Sequence, residues 1–326
     1  MKYLASILFL VITLYSQTFF SSNPVANTYS IVARDTVTGE MGVAVQSHWF
    51  SVGTIVSWGE AGVGVIATQS FVNVSFGPDG LALLRDGLSA QATLDKLIEE
   101  DEGRDFRQLA VLDSKGNVAV YTGKKCTEEA GHLKGNQFSV QANMMKNNSV
   151  WPVMKETFEN SKGTLAERLL LTLEAAEEAG GDIRGKQSAS ILVVKPESTG
   201  KVWLDRLVDL HIEDHPEPLV ELRRLYNVHQ AYEHMNKGDL AIEHDDMELA
   251  MKEYSMAEEL FPENLEMKFW RAVTLSNIGK VDDALPIFKE VFSKDENWKI
   301  LTPKLIKNEL LTVSEEDLER ILSVNE

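Results

Sequence analysis

Short β-branched segments in this chain come in adjacent groups, and the helical segments between them come in pairs. No other feature restricts the fold so strongly. "TYSIVAR" alternates apolar and polar residues, Thr38-Gly39-Glu40 supplies a turn, and "MGVAVQS" returns as a second strand. Segments 52–58 and 62–69 read as two further strands, short and punctuated by glycine. "GPDGLALLRDG" then takes helical spacing. A second helix follows over "LSAQATLDKLIEED", with Ser89 as N-cap and Ala90, Leu94, Leu97 and Ile98 apolar at helical spacing. "RQLAVLD" and "VAVYTG" form a hairpin through Ser114-Lys115-Gly116-Asn117, and "FSVQANMM" is another strand. Two helices follow, near 150–159 and 165–179, the second stopped by Gly180-Gly181, before the strands "SASILVVK" and "RLVDLHI". A doubly wound nucleotide-binding fold would alternate strand and helix singly. Helices inserted as pairs imply sheets stacked on each other and covered by helix layers.

From Pro216 the pattern is helical to the end. Ala250, Tyr254, Ala257, Leu260 and Pro262 occupy the small, aromatic, small, apolar and proline positions of a helix-turn-helix unit, and Ala284 and Phe288 repeat the first two 34 residues on. This period resembles tetratricopeptide repeats, two of them, over 231–264 and 265–298. Glu296 stands where the second repeat would carry proline. Two repeats bury little, so they are expected to lean on a long helix beginning near Glu217. Such repeats offer a groove for a protein partner.

The chain opens "MKYLASILFLVITLYSQTFFSSNPVA": a cationic start at Lys2, a short apolar run, then small and polar residues, the order of a secretory signal peptide. The run is shorter than the ~20 residues a membrane span needs. Cleavage after Ala26 is the expected boundary, with Ser16 and Ser22 as alternatives. The organisation expected is therefore a signal peptide over 1–26, a mixed domain over 27–215 and a helical segment over 216–326. The mature protein would be periplasmic or extracellular, without stable membrane insertion. Cys126 is the single cysteine, so no intrachain disulfide can form. The net charge of −18 repels phosphate backbones and argues against nucleic-acid binding.

Five blocks now carry a resemblance: "TYSIVARDTVTGEMGVAV", "GVGVIATQSFVNVSFGPDGLALL", "RQLAVLDSKGNVAVYTG", "AGGDIRGKQSASILVV" and "VDLHIEDHPEPLVELRRL". Over 28–225 the chain is similar to the DUF1028 family, a group placed by its fold with the N-terminal nucleophile hydrolases. The resemblance implies an α+β fold, a four-layer αββα sandwich of that type, followed here by the all-α repeat segment. It also implies hydrolysis of an amide or peptide-like bond, without cofactor or metal. In that chemistry a mature N-terminal Thr, Ser or Cys uses its own α-amine as general base. Thr28 occupies the nucleophile's place, and exposing it requires a cut between Asn27 and Thr28. The resemblance further implies that Asp182 and Ser188 orient the nucleophile, and that some members pair through sheet edges into homo-oligomers.

Two departures from proteasome-like relatives matter. His48 falls near the position of an expected aspartate and Trp58 near that of an expected lysine. No lysine occurs between Lys2 and Lys96, so the usual cationic partner is missing from the opening strands. A second reading therefore stands beside the enzyme: a non-catalytic domain that binds a ligand, joined to a protein-binding repeat module.

Other polar residues cluster at expected strand ends. Gln69 and Asn73, with Thr68 and Ser70, leave a strand for a helix and could donate to an oxyanion. Ser47 and His48 end the second strand on opposite faces, so they cannot form a simple nucleophile–base pair. Arg184 and Gln187 share a glycine-flanked loop with Asp182, and Asn143 and Gln141 alternate on one strand face. His211 and His215 fall four apart, but on a strand end and a turn rather than one helix, which is a poor metal pattern.

Overall fold

The computed structural model describes residues 25–324 and divides into two compact units, 1–219 and 220–326. The apolar run of the expected signal peptide lies outside the described residues, and none of the described helices is long and apolar enough to cross a membrane.

Among the described residues of the first unit, all strand pairs are antiparallel. One sheet holds β1 (Val25–Ala26), β4 (Ser57–Glu60), β5 (Gly64–Phe71), β6 (Arg107–Asp113) and β7 (Val118–Thr122), in the order β1-β5-β6-β7 with β4 also on β5. The other holds β2 (Thr28–Arg34), β3 (Met41–Ser47), β8 (Gly131–Gly135), β9 (Phe138–Ala142), β10 (Ser188–Val194) and β11 (Arg206–Ile212), in the order β11-β10-β3-β2-β9-β8. Among the described residues of this unit, α-helices come at four points: α1 (Gly53–Val56), α2 (Phe76–Arg85) with α3 (Ala90–Glu99), α4 (Val150–Asn160) with α5 (Leu165–Glu178), and α6 (Val202–Asp205). The pair α2 and α3 packs on the first sheet and α4 and α5 on the second, while the sheets face each other. Ser89 and Thr164 cap α3 and α5 by accepting the amides of Ala92 and Glu167. Gly180 and Gly181, both at positive φ, end the α5 segment as the sequence implies.

Between the sheets, Val32, Met41, Val43 and Val45 meet Val65, Ala67, Ala110 and Leu112 in an apolar core. The opposite face of the second sheet carries Tyr29, whose hydroxyl donates to Glu177 Oε2 at 2.8 Å; burial and that neighbouring carboxylate push the phenol well above its ordinary pKa. Two strand expectations need correction. Residues 52–58 are not one strand: Val52–Val56 turn through α1 before β4 begins. Gly53 sits where a Cβ would lie 2.4 Å from His211 Nδ1 and 2.6 Å from Ser190 Cβ, so close packing overrides the β-branched run. β8 was not expected, because "GHLKG" lacks the β-branched signal; it is an edge strand recruited by pairing with β9.

The second unit is helical: α7 (Pro218–Glu243) enters it, followed by α8 (Met247–Leu260), α9 (Leu265–Asn277), α10 (Val281–Lys294), α11 (Asn297–Leu301) and α12 (Glu315–Leu322). Ala250, Tyr254, Ala284 and Phe288, the residues that repeat in sequence, are all buried. Gly238 allows α7 to approach Tyr254, since a Cβ there would lie 2.5 Å from the ring. The Tyr254 hydroxyl donates to Asp239 at 2.6 Å.

Gly64 at the start of β5 offers a direct test of the sandwich. A Cβ there would lie 2.4 Å from the Leu112 carbonyl oxygen, a backbone atom on the paired strand. Gly64→Ala is expected to destabilise the first unit by about 1–3 kcal/mol, read as a lower urea midpoint, whereas Gly87→Ala, with open space around it but positive φ, should cost only its backbone strain.

Candidate functional site

The sheet register brings the residues singled out in the sequence to one end of the sandwich. Thr28 pairs with Ser47 on β3, and Ser47 pairs with Ser188 on β10, while the Asn143 amide donates to the Thr28 carbonyl at 3.1 Å. Directly opposed residues of an antiparallel sheet share a face, so Thr28, Ser47 and Ser188 form one row toward the facing sheet. Thr28 is completely buried, and its hydroxyl donates to the Ala26 carbonyl at 2.8 Å.

The carbonyl before Thr28 is held by two side chains. The Asn27 carbonyl oxygen accepts from Ser47 Oγ at 2.6 Å and from Arg184 Nη2 at 2.7 Å. Arg184 is aimed by a forked pair with Asp182, Nε to Oδ1 at 3.0 Å and Nη2 to Oδ2 at 2.7 Å. Asp182, whose side chain is fully buried, also accepts the Arg184 amide at 2.9 Å and the His48 amide at 3.3 Å. Gly181 and Gly185, at φ +57° and +108°, allow the loop to fold back so tightly.

Behind Thr28 lies a buried polar network joining the two sheets. Gln69 Nε2 donates to the Thr28 carbonyl at 3.2 Å and to Gln108 Oε1 at 2.7 Å. Gln108 Oε1 also accepts Asn143 Nδ2 at 2.8 Å. Ser30 Oγ donates to Gln69 Oε1 at 2.5 Å and accepts from Gln141 Nε2 at 2.6 Å. Asn143 Oδ1 and Asn27 Oδ1 are buried without a hydrogen-bond partner.

Not every expected residue joins this group. Ser188 shares the row, but its hydroxyl donates to the Trp49 carbonyl and accepts the Val52 amide at 3.1 Å, so it clips the loop after β3 instead of touching Thr28. Gln187 donates to Asp214 at 3.0 Å, away from Thr28. Asn73 accepts the Ser75 amide and stabilises the turn into α2. The His48 ring is exposed while its backbone serves Asp182. Gln108 and Ser30 were missed in the sequence. Ser30 had a signal, a polar residue alternating with Thr28 on a buried strand, whereas Gln108 directly follows Arg107 and shows no alternation.

No group of three or more His, Cys, Asp or Glu side chains among the described residues is placed to hold a metal. His211 Nε2 bonds Asp209 at 2.9 Å, which raises the imidazole pKa, while His215 Nδ1 accepts the Glu217 amide at 3.0 Å, so the two histidines serve different partners. A cavity of about 650 Å³ beside His211, Ser57, Trp58 and Arg85 does not include Thr28. Burial pushes the Cys126 thiol up, as for an inert thiol.

A family model described as "Family of unknown function (DUF1028)" matches residues 28–222. Among solved structures, a crystal structure of protein SPO2555 from Silicibacter pomeroyi, assigned to the same family, is 34% identical, with a TM-score of 0.56, covering 61% of this chain and 88% of that one. Anbu (ancestral beta-subunit) from Yersinia bercovieri is 12% identical, covering 61% of this chain and 93% of that one, at a TM-score of 0.29, too low to carry an argument. No curated protein matches.

The clamp predicts its own failure mode. Asp182→Ala leaves Arg184 without its fork and the His48 amide without its acceptor, and is expected to destabilise the first unit by about 2–4 kcal/mol. Asp182→Asn should lose less, since an amide oxygen still accepts. Urea unfolding of the three chains checks the order.

Proposed function

The chain belongs to the DUF1028 family, and from the donors gathered before Thr28 we propose that it is an exported hydrolase of amide or peptide-like bonds, with an αββα sandwich of the N-terminal nucleophile type. One observation carries the reading: the Asn27 carbonyl, one bond ahead of a strand-initial threonine, is held by a hydroxyl and a guanidinium at 2.6 and 2.7 Å. Donors at that range are what a carbonyl needs when its oxygen becomes an oxyanion. Arg184 would then supply the positive charge that the lysine-free opening strands lack.

In the maturation we propose, Thr28 Oγ1 adds to the Asn27 carbonyl carbon, with Ser47 Oγ and Arg184 Nη2 holding the oxyanion. The C–N bond to Thr28 breaks, the nitrogen takes up the proton lost by the hydroxyl, and an ester joins Asn27 to Thr28 Oγ1. Water hydrolyses the ester, leaving an Asn27 carboxylate and a Thr28 with a free amine. That amine, with an ordinary pKa of about 7.7–8.0, is the general base for later substrates, whose carbonyls meet the same two donors. Asp182 acts as a positioning residue, holding Arg184. Asn143 and Gln69 fix the Thr28 carbonyl and so the backbone that bears the nucleophile.

A separate observation favours a protein-binding role for the second unit. Ala250, Tyr254, Ala284 and Phe288 recur at one period and are all buried, while Leu240, Leu249, Met256 and Leu260 are exposed. We read this unit as two tetratricopeptide-like repeats that dock a protein partner. Export under the N-terminal leader, and a homo-oligomer formed through sheet edges, belong to the same reading; the leader stays attached until the cut between Asn27 and Thr28 releases it, in place of the cut after Ala26.

The purified full chain is expected to yield a fragment whose N-terminal sequence begins at Thr28, read by intact mass and Edman sequencing. Thr28→Ala should yield none, and Ser47→Ala should slow its appearance by about 100-fold. Amidase activity of the freed chain should rise with pH through about 8, because the amine is a base only once its proton is lost. A purified chain that keeps Asn27, with activity unchanged in Thr28→Ala, refutes the hydrolase reading.

A further inference from the structure

The chain carries an occupant of its own cleft. Residues 25–27 cross from the first sheet to the second at the head of β2: Val25 and Ala26 pair antiparallel with Phe71 and Ser70 of β5, and Asn27 then leads into Thr28 on the facing sheet. β4 pairs only with the 64–67 half of β5, so this second half of the strand is edged by Val25–Ala26. Ala26 and Asn27 are completely buried.

Resting on the reading of Thr28 as nucleophile, we propose that residues 25–27 mark the acyl-side subsites, and that the substrate is an extended peptide with asparagine at the residue bearing the attacked carbonyl and a small residue before it. Three features carry this. The 70–71 edge of β5 already accepts an antiparallel strand, the mode by which extended peptides add to a sheet. The residue at the Ala26 position has no exposed surface, so its place is sized for a methyl group. The Asn27 side chain lies in a buried polar setting: Nδ2 donates to Met144 Sδ at 3.2 Å, and Oδ1 is buried without a partner. Asn143 Oδ1, bonded through its own Nδ2 to Gln108 beside Thr28, is likewise buried and unpartnered. A leucine at the Asn27 position would leave the sulfur acceptor unused, and a lysine would bury a charge where the bonded partner is a thioether rather than a carboxylate. Release of residues 25–27 empties this slot, so the leader blocks the site and also outlines what enters it.

The test uses a chain begun at Met-Thr28, from which the initiator methionine is removed, with its N-terminus verified by mass. Acetyl-Val-Ala-X-aminomethylcoumarin is offered with X as Asn, Leu, Lys or Asp, and the binding of acetyl-Val-Ala-X-amide is measured by calorimetry for the same four residues. The expected result is kcat/KM at least tenfold higher for Asn than for each of the others, binding in the same order, and a tenfold loss when the middle residue is Phe. Equal or better turnover of Leu, Lys or Asp, dependent on Thr28, overturns the subsite assignment and leaves the hydrolase reading intact. Absence of turnover for all four with tightest binding of the Asn peptide supports the subsites and removes the hydrolase. Equal binding of all four, or none, overturns the subsite assignment.

Discussion

Two hydrogen bonds to one carbonyl oxygen organise this end of the molecule. Ser47 and Arg184 reach Asn27 from different parts of the chain, and each is placed by a separate constraint. Ser47 is in register because β3 lies between β2 and β10. Arg184 is in reach because Asp182 grips its guanidinium with both oxygens, inside a loop that needs Gly181 and Gly185 at positive φ. A partly buried arginine costs desolvation unless its charge is matched. The buried Asp182 carboxylate supplies that match, and Arg184 Nη2 donates both to it and to the carbonyl.

The sandwich interior changes character along its length. Val32, Val43, Val65 and Leu112 fill one part with apolar side chains, whereas Ser30, Gln69, Gln108, Gln141 and Asn143 fill the part next to Thr28 with amides and hydroxyls. Buried amides are tolerated because they bond one another and the strand carbonyls across the gap between sheets. Such a network fixes the spacing of the sheets more sharply than apolar contact does. Its incomplete members, Asn27 Oδ1 and Asn143 Oδ1, lie in the same region as the held carbonyl. A polar interior that closes only in part is a poor solution for stability alone and a reasonable one for a place where something must bind.

Much of this was readable from residue order. Hairpins betrayed themselves through Thr38-Gly39-Glu40 and Ser114-Lys115-Gly116-Asn117, helices through the cap at Ser89 and the stop at Gly180-Gly181, and the family through five blocks. Thr28, Ser47, Asp182, Arg184, Gln69 and Asn143 were singled out and the structure gathers them. What sequence could not supply was direction. Ser188 sits in register with Ser47, yet its hydroxyl turns to the loop at Trp49. Asn73 and Gln187 were polar residues near strand ends, but Asn73 serves a local turn and Gln187 bonds Asp214 far along the chain. α1 replaced a β-branched strand because Gly53 packs against His211 and Ser190, a tertiary contact with no local signature. Gln108 was invisible for another reason: a glutamine next to Arg107 at the start of a strand acquires meaning only when the facing sheet is known.

In the maturation we propose, the Thr28 hydroxyl attacks the carbonyl before it, and that step leaves an ester that can be caught. Hydroxylamine added to the full chain should speed separation of the two fragments and leave Asn27 as its hydroxamate, with Thr28 beginning the longer piece, all visible by mass spectrometry. Cleavage indifferent to hydroxylamine, with Asn27 recovered only as a carboxylate, or separation at any other bond, would contradict it.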